Sequence, residues 1–192
     1  SGRRTWIAIT CGAGAVGGAA VAVPFISSFA PSERAKAAGA PVQADISALR
    51  PGEKMTVEWR GKPVWIVRRT EEQLAALPKL DGQLADPFSK RNPAELTPEY
   101  ARNVPRSIKP EVLVCVGICS HLGCSPVDRF APGAQPSLPD DWAGGFLCPC
   151  HGSTFDMAGR VFKNKPAPDN LEVPRHMYLS DTLLLIGEDS KG

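Results

Sequence analysis

The hydrophobic positions fall into two regimes. From Trp6 to Phe29 apolar and small residues run almost unbroken, and no charge appears between Arg4 and Glu33. An apolar stretch of about twenty to twenty-five residues is enough to cross a bilayer core as a helix. Its glycines weaken a helix in water but are common in membrane helices. Arg3 and Arg4 precede the run and would stay cytoplasmic, placing the rest of the chain outside. A cleaved leader is the competing reading, with Ala35-Lys36-Ala37 as a small-residue cleavage pattern. The run exceeds an ordinary leader core, so a retained anchor over residues 1–30 is expected.

Residues 31–44 are rich in Ala, Gly and Pro and show no apolar period. They read as a flexible linker. From Asp45 the pattern changes to short alternating runs. Met55, Val57 and Trp59 alternate with polar residues, Gly61 turns the chain, and Val64 to Val67 follows, which predicts a hairpin. Thr70-Glu71-Glu72-Gln73 matches a capping box, predicting a short helix stopped before Pro78. Residues 79–109 are polar and Pro-rich, an irregular insertion with one helical turn near Pro98 to Arg102. Val112 to Ile118 reads as a buried strand. Short strands are expected at Gly145 to Leu147, Thr154 to Phe155, Arg160 to Phe162 and Tyr178 to Ile186. Many short strands between Gly/Pro turns indicate an all-β head.

Composition narrows this little. Of 192 residues, 43% are hydrophobic and 22% charged, and the net charge of +2 gives no reason to expect a nucleic-acid partner. The cysteines are informative. There are six, and four of them share two short boxes with two of the three histidines. The boxes are Cys119-Ser120-His121-Leu122-Gly123-Cys124 and Cys148-Pro149-Cys150-His151-Gly152-Ser153. Each follows an apolar run, so each is expected on a loop at a strand end. Two Cys and two His could hold zinc tetrahedrally, or a [2Fe–2S] cluster with two thiolates on one iron and two imidazoles on the other. Zinc sites usually pair like ligands, whereas here each box offers one of each. All four cysteines in disulfides, beside ordinary surface histidines, is the plainest alternative. Cys115 in its apolar run reads as a buried thiol, Cys11 as a bland residue of the span, and His176 as a surface or packing residue.

The two boxes resemble those of Rieske proteins, most closely the cytochrome bc complexes. The resemblance extends to the paired arginines, which also look like a twin-arginine export signal, and to the anchor, the linker and the loop Lys165-Pro166-Ala167-Pro168. It implies a Rieske-type antiparallel sandwich over residues 45–192, with a cluster-binding subdomain at about 115–170, plus one N-terminal transmembrane helix. It implies Cys119 and Cys148 on the inner iron, His121 and His151 on the outer iron, and a Cys124–Cys150 disulfide. Such a disulfide suits an oxidising periplasm.

Neutral imidazoles raise the cluster potential to roughly −150 to +300 mV, within reach of a quinol. Each imidazole also keeps a second nitrogen for a proton, which gives His121 and His151 their expected catalytic part. Ser153 resembles a serine that bonds a bridging sulfide. Phe155 stands where many relatives carry tyrosine, which predicts a lower potential here. Leu122, Gly152 and Pro166 are expected beside the cluster, with Leu122 and Pro166 to Pro168 shielding it. The implied function is the electron-transfer subunit of a dimeric ubiquinol–cytochrome c reductase at the bacterial inner membrane. It would take an electron and a proton from ubiquinol at a cytochrome b subunit, pass the electron to a c-type cytochrome, and so contribute to proton translocation. The alternatives are the Rieske protein of another quinol complex or of an oxidase, a dioxygenase ferredoxin, and a non-redox zinc-stabilised anchored module.

Overall fold

A computed structural model describes residues 2–32, 39–91 and 96–190. The chain forms two compact units, residues 1–39 and 40–192.

The first unit is helix α1, Gly2–Ser27, whose side chains are all exposed. At 26 residues it is about 39 Å long, more than the ~30 Å of a bilayer's hydrocarbon core. Its mean hydropathy of 1.8 makes it long and apolar enough to cross a membrane. Pro24 removes one internal hydrogen bond near the end. The Ser27 and Ser28 hydroxyls then donate to the carbonyls of Pro24 and Phe25, at 2.9 and 2.6 Å. Of the expected linker, residues 33–38 lie outside the described residues. Its end is corrected, because Val42, Gln43 and Ala44 already belong to the first strand.

The second unit contains three antiparallel sheets of three strands each. The strands are β1 (Val42–Asp45), β2 (Lys54–Trp59), β3 (Lys62–Arg68), β4 (Val112–Val116), β5 (Val127–Arg129), β6 (Gly145–Leu147), β7 (Thr154–Asp156), β8 (His176–Tyr178) and β9 (Leu183–Ile186). The sheets run β1-β9-β8, β2-β3-β4 and β5-β6-β7. The β2–β3 hairpin turns at Arg60 and Gly61, both at positive φ, as a two-residue turn between right-twisted strands requires.

The middle sheet explains the unbroken apolar runs of β3 and β4. Val64 and Ile66 with Val112, Val114 and Val116 join a core that includes Ala44, Leu184 and Ile186 from the first sheet. Trp65, Val67, Leu113 and Cys115, alternating with them, join a second core with Phe146, Phe155, Cys119 and Cys148. A strand buried on both faces loses its polar alternation. Trp65 stacks on Phe146 with centroids 5.0 Å apart, which ties the middle sheet to β6.

Helix α2 (Glu71–Ala76) carries the complete capping box, Thr70 accepting from the Gln73 N–H and Gln73 accepting from the Thr70 N–H. Pro78 does not end the helical path. A 3₁₀ segment, Leu77–Gln83, continues through it, because proline near a helical start forfeits only a free N–H. Three more expectations are settled by the coordinates. The turn near Pro98 is present as a 3₁₀ segment, Glu99–Ala101. Residues 160–162 form only isolated bridges, Phe155 to Val161 and Leu84 to Phe162. The single strand expected at 178–186 is two, folded back at 179–182, where the Ser180 hydroxyl accepts from the N–H of Leu183.

Candidate metal centre

The two boxes follow β4 and β6 and adopt the same backbone turn. In the first, the Cys119 N–H donates to the Cys124 carbonyl at 2.8 Å and the Gly123 N–H to the Cys119 carbonyl at 3.1 Å. In the second, Cys148 N–H donates to Ser153 at 2.7 Å and Gly152 N–H to Cys148 at 2.9 Å. Gly123 and Gly152 hold the equivalent corner at φ +82° and +76°, where a side chain would be strained. Cys119 and Cys148 therefore occupy matching first positions, and His121 and His151 rise from the crests.

Cys124 and Cys150 form a disulfide between the two turns, closing 26 residues of sequence. In the chain-entropy picture, a loop of that size is worth about 3.5 kcal/mol against the unfolded state. The other two sulfurs of the boxes are free and buried, Cys119 and Cys148 each at 2% exposure. Burial is the main cause that raises the Cys119 thiol above its ordinary pKa, and the Cys148 thiol adds to the rise. Above them the His121 and His151 rings face one another edge to face, with centroids 4.7 Å apart. His151 is exposed and His121 half-buried. The donor set is thus layered, with two sulfurs inward and two imidazoles outward on cross-linked loops. That fits a binuclear centre whose two metal positions have different ligands. The sulfurs of Cys124, Cys148 and Cys150 also lie within 4.8 Å of one another. Two of these belong to the disulfide, so this group is a thiol beside a disulfide and not three metal ligands.

A third segment, residues 163–170, is pinned to both boxes. The Ser120 hydroxyl donates to the Asp169 carbonyl at 2.7 Å, and the buried Ser153 Oγ accepts from the Ala167 N–H at 2.9 Å. Accepting that bond leaves the Ser153 proton available to another acceptor, and the Ser153 hydroxyl lowers the Cys119 thiol against the effect of burial. Ala167 is buried, whereas Pro166 and Pro168 are exposed. Leu122 is 72% exposed in the first box, and Gly152 and Pro166 are exposed as well. Phe155 is fully buried in β7, in the same core as both free thiols. Cys115 is a buried thiol as expected, pushed up to about 12 chiefly by burial. His176 proves to be a packing residue, at 1% exposure, with Nδ1 2.8 Å from the Pro174 carbonyl.

Sequence reasoning missed three buried arginines that tie the segment after β7 to the residues between β3 and β4. Arg106 donates to the carbonyls of Ala158, Gly159 and Leu171 and to the Thr97 hydroxyl. Arg69 donates to the Met157, Pro105 and Pro110 carbonyls. Arg160 pairs with the fully buried Asp156 and with Asp81, both at 2.8 Å. Burial pulls Arg69 and Arg106 down to about 10, which leaves both charged near neutral pH. In sequence Arg69 follows another arginine at the end of an apolar run, and Arg106 and Arg160 are single cations, with no spacing that marks any of them.

Comparison with known proteins identifies the family. Residues 92–175 match the family described as Rieske [2Fe-2S] domain. Residues 2–32 match the family described as Ubiquitinol-cytochrome C reductase Fe-S subunit TAT signal. The "Ubiquinol-cytochrome c reductase iron-sulfur subunit" of Allochromatium vinosum is 57% identical over 187 residues, covering 97% of this chain and 88% of that protein. The protein of the same name from Bradyrhizobium diazoefficiens is 40% identical over 187 residues, covering 96% and 94%. A chain of the solved structure "Hyperthermophilic respiratory Complex III" aligns at TM-score 0.49 and 24% identity, over 93% of this chain and 98% of that one. With its two Cys/His turns, its disulfide and its near full-length match to these relatives, the chain belongs to the Rieske [2Fe–2S] iron–sulfur subunits of ubiquinol–cytochrome c reductase.

Proposed function

We propose that Cys119 and Cys148 hold the inner iron and His121 and His151 the outer iron of the cluster, and that the head serves quinol oxidation. One observation carries this: two free thiols are buried in one core, in the same two turns whose imidazoles face each other edge to face. When bound, the cluster supplies a one-electron centre at a potential raised by its imidazole ligands. The chain's own residues do the rest. The exposed His151 and half-buried His121 each have a ring nitrogen to spare for the proton of a quinol hydroxyl. Ser153 would turn its remaining proton toward the Cys119 sulfur, making it less electron-rich. Leu122, Pro166 and Pro168 give the crest an apolar rim against which a quinol pocket can close and exclude water.

The partners follow from the family. The head would dock on a cytochrome b subunit of a dimeric complex, where ubiquinol binds, and deliver the electron to a c-type cytochrome, with proton release contributing to translocation. Helix α1 would cross the bacterial inner membrane with Arg3 and Arg4 inside and the head in the periplasm. Residues 31–41 would give the head its reach between the two partners. In this reading the chain is the electron-carrying subunit of an oxidoreductase.

The test is replacement of His121 and His151, singly, by glutamine in the assembled complex. Loss of the reduced-state EPR signal together with quinol–cytochrome c reductase activity is the expected result. A variant that keeps both would refute the ligand assignment. An iron and sulfide assay on the wild-type complex separates a [2Fe–2S] centre from zinc.

A further inference from the structure

The proposed ligand Cys148 has neighbours that cluster binding does not use. Its sulfur and those of Cys124 and Cys150 all lie within 4.8 Å of one another, although Cys148 is no part of the disulfide. A free thiol that close to a disulfide is placed for exchange, which needs a thiol sulfur, a disulfide sulfur in reach and a leaving thiol that water can solvate. Burial sets the direction. Cys148 is buried, Cys124 is half-buried and Cys150 is exposed. Attack on Cys124 expels the exposed sulfur into water. Attack on Cys150 would expel the half-buried one and close a small ring across Pro149.

We propose that Cys148 is the attacking thiol of an internal thiol–disulfide exchange that converts Cys124–Cys150 into Cys124–Cys148 whenever the cluster is lost. This rests on the ligand assignment proposed above, which keeps Cys148 occupied while iron is bound. The step is balanced within the chain. The Cys148 thiol gives its proton to solvent, and its sulfur bonds Cys124 Sγ. The electron pair of the old S–S bond leaves on Cys150 Sγ, which takes up a proton. No oxidant or reductant is consumed. The product still ties the two turns together, but it removes one ligand sulfur and leaves a free thiol at the surface. Loss of the cluster is then self-sealing, since the emptied site has only one of its two thiols left for iron.

The experiment uses the full chain purified with its cluster in detergent. One portion is stripped with an iron chelator under argon without reductant, and the other is left intact. Free thiols are then alkylated and the disulfides mapped by mass spectrometry. The expected result is alkylated Cys150 with a Cys124–Cys148 bond, at least tenfold more abundant in the stripped portion. A stripped chain with only Cys124–Cys150 overturns the proposal. So does mixed pairing that reaches Cys11 and the buried Cys115 equally, the mark of scrambling in an unfolded chain.

Two variants name the nucleophile. Cys148→Ser should leave Cys150 unlabelled, and Cys119→Ser, which keeps Cys148, should show the exchanged bond; the reverse pattern overturns it. The two readings fail separately. A Cys148→Ser chain that retains its iron refutes the ligand assignment, whereas an unchanged disulfide in the stripped wild type refutes only the exchange.

Discussion

Phe155 is fully buried against the core that holds both free thiols, and it supplies no hydroxyl. Phe155→Tyr is therefore expected to raise the midpoint potential, measured by redox titration of the EPR signal. An unchanged potential would mean that the added hydroxyl finds no sulfur. His176 gives a pH prediction. Its burial lowers its pKa below the ordinary 6.5, so the unfolded chain binds the proton more readily. The neutral ring's contribution to stability is complete above pH 6.5 and declines as pH falls through that value toward the lower folded pKa. Melting temperature followed between pH 7.5 and 5 should show this fall, and His176→Gln should flatten part of it. The two Cys/His boxes were legible in the sequence because few residue types bind iron and their spacing is short. His176 and Cys115 were legible only as packing residues, since burial depends on neighbours far along the chain.

Among the elements, those whose signal is local were readable. The β2–β3 hairpin has alternation and a glycine turn, and α2 has a capping box. Strands β1 and β5 were missed, at four and three residues, because pairing with distant partners defines them and not any pattern of their own. Pro78 misled because a 3₁₀ turn tolerates proline at its start. The insertion between β3 and β4 appeared featureless, yet Arg106 lies within it and binds the segments after β7 and after the Pro-rich loop. Arg106→Met should cost about 3 kcal/mol or more, because several buried carbonyls and the Thr97 hydroxyl lose their donor. Thermal unfolding of the head checks this, with Arg106→Lys expected to recover only part of the loss, since lysine lacks the planar fork.

For the whole molecule, the division into a helix and a β head was legible from hydropathy alone, though the exact start of the head was not. If residues 31–41 act as a hinge, prolines introduced there should slow turnover of the assembled complex several-fold and leave the cluster potential unchanged. Turnover at the wild-type rate would show that the head need not move.

The middle sheet has a consequence for how the head fails. Strands β3 and β4 give alternate side chains to the two cores, so they act as a party wall. Neither room can collapse while the other stands. On heating, bleaching of the iron chromophore at one end and loss of amide protection in β8 and β9 at the other should share one midpoint, although no side chain of those two strands belongs to the core that contains Cys119 and Cys148.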